Sequence, residues 1–186
     1  SSKKVNGKTY SDKNLAALGL GGLTDGISVL DLAAAYVPFG NGGNYAKPYF
    51  YTKVTDSQGN VLLEQKPQLQ SAMREETAFI MNKLLQSVVN NGTGASAKLA
   101  NMPVGGKTGT TTEDKDRWFA GITPYYVGIT WFGYDKPKAI SGVSYNPSAR
   151  IWKAVMERIH NGKEAKDFPT CGNVYEAGGG WYINGT

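Results

Sequence analysis

Residues that bind metals or form disulfides are nearly absent from this sequence of 186 residues. The chain contains one histidine, His160, and one cysteine, Cys171. A His/Cys metal cluster and an internal disulfide both need more such residues than the chain offers. We therefore expect neither a metal site nor a disulfide scaffold, and we predict no cofactor.

Long apolar runs are also lacking. No run approaches the roughly eighteen residues of a membrane span, and Ser1-Ser2-Lys3-Lys4 carries no apolar signal region, so we expect no membrane contact by this segment itself. The net charge of +5 is spread along the chain without a basic run. This fits an anionic environment such as a cell wall as well as it fits nucleic acid, so the charge alone does not decide between these partners. Nucleic acid ranks low as a partner because the basic residues do not line one element with aromatic residues between them.

His160 and Cys171 both have ordinary structural interpretations. His160 precedes Asn161-Gly162, where a helix is expected to end, so it is interpreted as a helix-end cation. Acyl chemistry in this chain would therefore use a base other than histidine. Cys171 has no partner base nearby in the sequence and is interpreted as an incidental thiol.

Apolar periodicity predicts helices over 28–39, 75–90 and 148–160. The first helix is expected to be mostly buried, with Ser28 and Asp31 in a capping arrangement and a glycine-rich end. The second has Ser71 as its expected cap and Asn91-Gly92 as its end. Before these helices, residues 1–25 indicate an irregular segment with a short helical turn near 15–18, and Ser1–Lys4 is expected to be frayed.

β-branched and aromatic runs predict a hairpin from Tyr49–Thr55 and Val61–Glu64. Further runs predict an antiparallel meander, because the connections between them are short; its strands are Val104–Thr111, Trp118–Thr123 and Tyr126–Gly133. The last strand is apolar on both faces, which indicates cover on both sides. The predicted fold is α/β of the α+β type, an antiparallel sheet with helices on both faces.

Three tryptophans, Trp118, Trp131 and Trp152, could suggest a carbohydrate platform, but their spacing favours core positions. Residues 115–117 are interpreted as a solvated loop. Residues 1–161 are predicted to be part of one domain, and residues 162–186 a polar, glycine-rich tail.

The sharpest local motif is Gly105-Gly106-Lys107-Thr108-Gly109-Thr110, on the first strand of the meander. A phosphate-binding loop would need glycine where Asn101 stands and a helix directly after the motif, whereas a β-branched run follows. The alternative is the Lys-Thr-Gly element of the penicilloyl-serine acyl transferases. The surrounding sequence decides between the two.

From about Leu15 to His160, the chain resembles the C-terminal half of the transpeptidase domain of a bacterial class A penicillin-binding protein. The matching blocks follow in the family's order. They are Asp31–Tyr36 with Phe39, Asn41-Gly42-Gly43 and Lys47-Pro48; Gly92-Thr93-Gly94; Gly106–Thr110; Asp116 with Trp118–Gly121 and Thr123-Pro124; Trp131 with Gly133-Tyr134-Asp135; and Pro147 with Ile151-Trp152-Lys153.

The resemblance implies a serine D,D-transpeptidase that cross-links peptidoglycan stem peptides and is acylated by β-lactams. It implies a place on the extracytoplasmic face of the bacterial membrane, anchored by a segment outside this chain. A relative such as a serine β-lactamase or D,D-carboxypeptidase is an alternative, although these usually have less chain after the Lys-Thr-Gly strand. A non-catalytic module that senses β-lactams or binds peptidoglycan is another.

The resemblance also implies roles for the residues of the motif. The Thr110 N–H would be one of two backbone donors to the oxyanion, and the hydroxyls of Thr108 and Thr110 would bind the terminal carboxylate. Lys107 would add positive charge to that end of the cleft. Gly109 would let the substrate backbone approach closely, and Thr112 would be a minor contact on the same strand face.

Two family motifs have no convincing counterpart here. The string Ser1-Ser2-Lys3-Lys4 spells Ser-x-x-Lys without helical context, and Ser144-Tyr145-Asn146 spells Ser-x-Asn after the Lys-Thr-Gly strand instead of before it. The nucleophile and general base are therefore expected from a segment N-terminal to Ser1, and two alternatives stay open: a separate chain after proteolysis, or a segment that is absent. Expressed alone, the chain is expected to fold poorly, because its sheet would lack part of its cover.

Overall fold

The computed structural model describes residues 1–19 and 21–185. The helices in these ranges are α1 (Leu15–Gly19), α2 (Val29–Gly40), α3 (Glu75–Asn91) and α4 (Pro147–Ile159). The strands are β1 (Ser2–Val5), β2 (Lys8–Ser11), β3 (Asn44–Ala46), β4 (Lys53–Thr55), β5 (Val61–Glu64), β6 (Leu69–Ser71), β7 (Gly105–Thr110), β8 (Asp116–Ile122), β9 (Val127–Gly133), β10 (Val174–Ala177) and β11 (Gly180–Ile183).

The central sheet has the order β7-β8-β9, and both pairs of neighbours are antiparallel. Thr108 lies opposite Phe119, and Trp118 lies opposite Trp131. This confirms the predicted meander, with strand bounds within two residues of the expected ones. The predicted outlying hairpin is confirmed as β4 and β5, although its first strand is shorter than expected.

Helices cover both faces of this sheet, as predicted. Trp152 of α4 is buried, and its ring contacts Phe119 on one face with 5.3 Å between ring centroids. On the other face, Leu85 of α3 and Ile122 of β8 crowd Gly105 so closely that a Cβ there would lie 3.2 Å from each. The main core cluster forms around Trp152 and Phe119.

Helix α2 begins as the sequence predicts, but it is not mostly buried. The Ser28 hydroxyl accepts a hydrogen bond from the Asp31 N–H at 3.0 Å, which caps the helix. Only Ala34 and Pro38 of α2 are buried, and Leu30 is 44% exposed. Helix α2 contacts the central sheet, β3 and α3, and its other residues are half-buried or exposed. The prediction of a mostly buried helix is therefore wrong for the described part of the chain.

The expected cap of α3 is also wrong. Ser71 pairs with Asn44 in the β3–β6 ladder, so its backbone is extended and stands apart from the helix. The helix begins at Glu75, after Arg74, which forms no side-chain cap. Its predicted end is confirmed, since Gly92 follows Asn91 as the C-cap.

The N-terminal segment forms a hairpin, so the prediction of an irregular segment with a frayed start is wrong. Strands β1 and β2 pair from Ser2 opposite Ser11 to Val5 opposite Lys8. Asn6 and Gly7 form the connection with φ of 49° and 76°. Positive φ at both positions is the signature of a type I′ turn, which suits the twist of a two-stranded ribbon. The short helix expected near 15–18 is confirmed as α1.

The C-terminal segment is ordered on the surface of α3. Strands β10 and β11 form a hairpin whose Trp181 ring packs edge-on against Phe79, with 5.4 Å between centroids. The Asn173 amide donates to Glu76 at 2.7 Å, and this hydrogen bond lowers the pKa of the Glu76 carboxyl. Part of the predicted polar, glycine-rich tail therefore forms a hairpin, which aromatic and amide contacts hold against α3.

His160 ends α4 as predicted, and it is buried, with 9% of its surface exposed. Its Nδ1 donates to the Met156 carbonyl oxygen at 2.8 Å, and its Nε2 lies 2.9 Å from the Thr123 hydroxyl. The imidazole also packs edge-on against the Tyr126 ring, with 5.3 Å between centroids. These contacts give His160 a structural role at the junction of α4 and the β8–β9 turn.

Replacing His160 with alanine is expected to lower the free energy of unfolding by about 2 kcal/mol, because buried partners at Met156 and Thr123 lose their hydrogen bonds. Urea unfolding of the full-length protein, followed by circular dichroism, measures this. The exposed neighbour Asn161 provides the control, since N161A should change stability by no more than about 0.5 kcal/mol. A variant H160A with unchanged stability would contradict the structural role.

Candidate functional site

Strand β7 lies at an open edge of the central sheet, because β8 is its only partner among the described residues. Beyond the strand end, the Thr111 N–H donates to the Asp116 carbonyl at 3.2 Å. The backbone N–H and C=O groups of successive residues in a strand point alternately toward and away from the partner strand. Since Thr111 points toward β8, the backbone groups of Thr110 and Thr108 point away from it. The edge therefore offers the Thr110 N–H and the Thr108 backbone to an added extended strand.

Lys107 is an exposed cation at this edge. Its Nζ donates to the Thr108 carbonyl oxygen at 2.8 Å, which holds the side chain along the strand. No ion pair within the described ranges involves Lys107. Its positive charge is therefore available to an anionic ligand bound at the edge.

The Thr110 hydroxyl is oriented by a neighbouring arginine. Arg117 Nη1 donates to Thr110 Oγ1 at 3.1 Å, and Arg117 Nη2 lies 3.2 Å from the Asp114 carboxylate. A guanidinium only donates hydrogen bonds. The Thr110 hydroxyl thus keeps its own hydrogen for another acceptor, such as a carboxylate.

The Thr108 hydroxyl is also held from outside the strand. Thr93 follows α3 and lies in the chain between that helix and the next short 3₁₀ turn. Its Oγ1 is 2.8 Å from Thr108 Oγ1, a hydrogen-bond distance. The Lys-Thr-Gly-Thr segment therefore presents two hydroxyls, each fixed by a residue that belongs to another element.

Gly109 pairs with Trp118, and the tryptophan supplies the structural reason for a glycine. A Cβ on Gly109 would lie 3.1 Å from Trp118 Cβ, which is tighter than ordinary contact. The structure thus explains Gly109 through packing within the sheet. Close approach of a substrate backbone to Gly109 stays a prediction.

The strand does not extend to Thr112, so the prediction that placed Thr112 on the face of Thr108 and Thr110 is wrong. Strand β7 ends at Thr110, and Thr112–Asp114 forms a 3₁₀ turn in which Glu113 and Asp114 have φ of 62° and 55°. Lys115 forms an ion pair with Glu113, and its hydrogen bond and charge lower the pKa of the Glu113 carboxyl. The alternation of side chains along β7 therefore stops before Thr112 and does not place it beside Thr108 and Thr110.

Asp116 and Arg117 were expected in a solvated loop, but both lie in β8. Asp116 accepts hydrogen bonds at 2.8 Å from the Trp131 indole N–H and from the Thr111 hydroxyl. These contacts tie the end of β7 to β9. The predicted core position is confirmed for Trp152, which is buried, whereas Trp118 and Trp131 are only half-buried.

The remaining candidate motifs have structural roles. Ser2 and Lys3 lie on strand β1 and do not begin a helix. Asn146 caps α4 by accepting from the Ala149 N–H at 3.3 Å, and its amide donates to the Trp118 carbonyl at 3.0 Å. Both findings agree with the expectation that these strings match the family motifs by chance.

Within residues 1–19 and 21–185, no group of three or more His, Cys, Asp and Glu side chains could hold a metal ion. None of the helices in these ranges combines the length and apolar character that crossing a membrane requires.

The family of this chain follows from comparison with known proteins. Residues 1–157 match the family described as the penicillin binding protein transpeptidase domain. The chain belongs to this family. The match covers every strand of the central sheet and most of α4.

Individual proteins similar to this chain support the same family assignment. Penicillin-binding protein 1A of Clostridium acetobutylicum is 40% identical over 174 residues, which is 93% of this chain and 21% of the relative. The crystal structure of penicillin-binding protein 1A from Haemophilus influenzae superimposes with a TM-score of 0.73 at 22% identity, over 86% of this chain and 32% of that one.

A third relative is the D,D-transpeptidase domain of a peptidoglycan glycosyltransferase from Eggerthella lenta. It has a TM-score of 0.61 and 25% identity, over 72% of this chain and 32% of that chain. The chain spans only about a fifth of the length of the relative from Clostridium acetobutylicum. Its fold, an antiparallel sheet between helices, is that of the penicillin-binding transpeptidases.

Proposed function

We propose that this chain supplies the substrate-binding and oxyanion strand of a serine D,D-transpeptidase that cross-links peptidoglycan and is acylated by β-lactams. The observation that carries the proposal is the open edge of β7, with the Thr110 N–H directed away from β8. The family to which the chain belongs and the D,D-transpeptidase domain among its relatives support the same activity.

The proposed substrate is an extended stem peptide that ends in a carboxylate. Its backbone would pair with β7 as an added strand, which holds the scissile amide near Thr110. The Thr110 N–H would stabilise the oxyanion together with the N–H of the nucleophile, and no protein reorganisation is needed during the reaction because the strand is preformed. The hydroxyls of Thr108 and Thr110 and the charge of Lys107 would bind the terminal carboxylate.

The chemical step we propose is acyl transfer. A serine hydroxyl from a segment N-terminal to this chain attacks the carbonyl carbon of the scissile amide, its proton passes through the general base to the amide nitrogen, and the C–N bond breaks to release the terminal residue as an amine. The amine of a second stem peptide then attacks the ester carbonyl, the C–O bond to the serine breaks, and the proton of the attacking amine returns to the serine oxygen as the cross-link forms. We place this reaction on the extracytoplasmic face of the bacterial membrane, with the anchor outside this chain.

The products formed by the full-length protein distinguish the proposed activity from its alternatives. We expect a synthetic stem peptide ending in two D-residues to give a cross-linked product, by mass spectrometry, when an amine acceptor is present. Release of the last residue without cross-linking would indicate a carboxypeptidase. Rapid hydrolysis of penicillin would indicate a β-lactamase, and a stable complex without any turnover would indicate a sensing or binding module.

Removing the charge of Lys107 is expected to weaken acylation by penicillins about tenfold or more, because a charge-assisted contact to the carboxylate is lost. The variant K107M keeps the length of the side chain, and stopped-flow acylation measures the effect. The exposed K53M, on β4, is the matched control and should behave as the wild type. Equal losses in K107M for a penicillin and for its methyl ester would contradict a role in carboxylate binding.

A further inference from the structure

The turn that follows α3 is fixed beside strand β7. The N–H groups of Gly92 and Gly94 both donate to the Val88 carbonyl oxygen, at 3.1 Å and 3.0 Å. A Cβ on Gly92 would lie 3.0 Å from that oxygen, and a Cβ on Gly94 would lie 3.2 Å from it. Two glycines thus allow a tight turn that holds Thr93 between them. Gly94 is buried, whereas Thr93 is exposed.

This turn places the hydroxyl of Thr93 against the Lys-Thr-Gly-Thr segment. Thr93 Oγ1 lies 2.8 Å from Thr108 Oγ1, and either atom can be the donor. Two hydroxyls that share one hydrogen bond keep one hydrogen for a further acceptor. A carboxylate accepts hydrogen bonds and donates none when it is ionised. If Thr108 donates to a carboxylate, the Thr93 hydroxyl must be the donor to Thr108.

We propose that Thr93 is a positioning residue that donates its hydroxyl hydrogen to Thr108 and so directs the Thr108 hydrogen toward the carboxylate of the bound ligand. The chain of two hydrogen bonds ends on the anion, and such chains strengthen each other. This inference rests on the proposed function. The Gly92-Thr93-Gly94 turn would hold Thr93 in place, and Thr93 would then help to determine how tightly ligands with a carboxylate bind.

The test compares T93V and T93S in the full-length protein, with T55V on the exposed strand β4 as the matched control. Acylation efficiency is measured with a penicillin and with its methyl ester. We expect T93V to lower the efficiency for the penicillin about fivefold, since one neutral hydrogen bond is lost. The serine variant keeps the hydroxyl and should remain within about twofold of the wild type. The methyl ester should acylate the protein more slowly than the penicillin does, and its acylation efficiency should be the same in the wild type and in all three variants.

A double-mutant cycle with T108V separates positioning from direct contact. If Thr93 acts through Thr108, adding T93V to T108V should cause no further loss. Additive losses would show that Thr93 contacts the ligand by itself and would overturn the inference. Equal losses in T93V for the acid and the ester would show a purely structural effect and would also overturn it.

The failure of this inference is distinguishable from the failure of the proposed function. A wild-type protein that penicillin acylates, together with a T93V variant that behaves as the wild type, overturns the role of Thr93 alone. A folded wild-type protein that no penicillin acylates overturns the proposed function and this inference with it. Circular dichroism spectra and thermal unfolding of each variant show whether it is folded.

Discussion

Replacing Thr110 with proline is expected to lower the rate of penicillin acylation of the full-length protein by about a hundredfold or more. Proline removes the backbone N–H, and the loss of one oxyanion donor has an effect of this size. The N–H of Thr110 is directed away from β8, so its loss breaks no hydrogen bond of the ladder. Proline is tolerated at such an edge position, so the sheet should remain folded.

The matched control for this variant is T110A. Both variants lose the hydroxyl, but only the proline variant loses the N–H. We expect T110A to be acylated about tenfold more slowly than the wild type, because one contact to the carboxylate is lost. Equal rates in T110P and T110A, with both proteins folded, would show that the Thr110 N–H does not stabilise the oxyanion.

The second large effect concerns the packing of α4 on the sheet. A Cβ at Gly121 would lie 2.4 Å from Trp152 Cε2 and 2.7 Å from Phe119 Cε1. Neither ring has room to move, because Trp152 and Phe119 are both buried and Trp152 donates its indole N–H to the Gly128 carbonyl at 2.9 Å. We expect G121A to lower the free energy of unfolding by about 3 kcal/mol, at the upper end for overpacking.

Urea unfolding of the full-length protein measures this loss. The control is G172A, because a Cβ at Gly172 meets nothing within 4 Å. In the W152L background the nearer of the two clashing rings is absent and only the contact with Phe119 remains, so G121A should then cost less than in the wild type. If G121A were as stable as the wild type, the packing of α4 against the sheet described here would be wrong.

Much of the central architecture could be predicted because its signals are local. The meander follows from β-branched and aromatic runs joined by short connections, and the cap of α2 follows from Ser28 and Asp31 three residues apart. The ends of α3 and α4 at Gly92 and His160 follow from helix-stop residues. Each of these elements depends on contacts within a few residues of itself.

Two hairpins were not predicted although the sequence carries their signals. Asn6-Gly7 is a favoured pair for a two-residue turn, and Gly178-Gly179 forms the same kind of turn with φ of 55° and 79°. Their strands are short and expose most of their residues, so the pattern of buried positions that usually reveals a strand is absent. The signal for these hairpins therefore lies in the residues of their turns.

Other features have no local signal at all. The β3–β6 ladder joins Asn44 to Ser71 across the intervening hairpin, and the Thr93–Thr108 contact joins a helix end to a strand. Arg117 reaches Thr110 because the tight turn after β7 brings β8 back beside it. Such pairs depend on how elements pack, so sequence reasoning found Thr108 and Thr110 through the family motif but missed the residues that orient them.

The measurement that tests the central claim most directly is to locate the penicilloyl group on the full-length protein. The protein is incubated with a penicillin, digested, and mapped by mass spectrometry. We expect one penicilloyl group, added without loss of atoms, on a serine of a Ser-x-x-Lys motif N-terminal to this chain, and far weaker labelling of T110P. A penicilloyl group on Ser144 or another serine of this chain, or no label on a folded protein, would contradict the account.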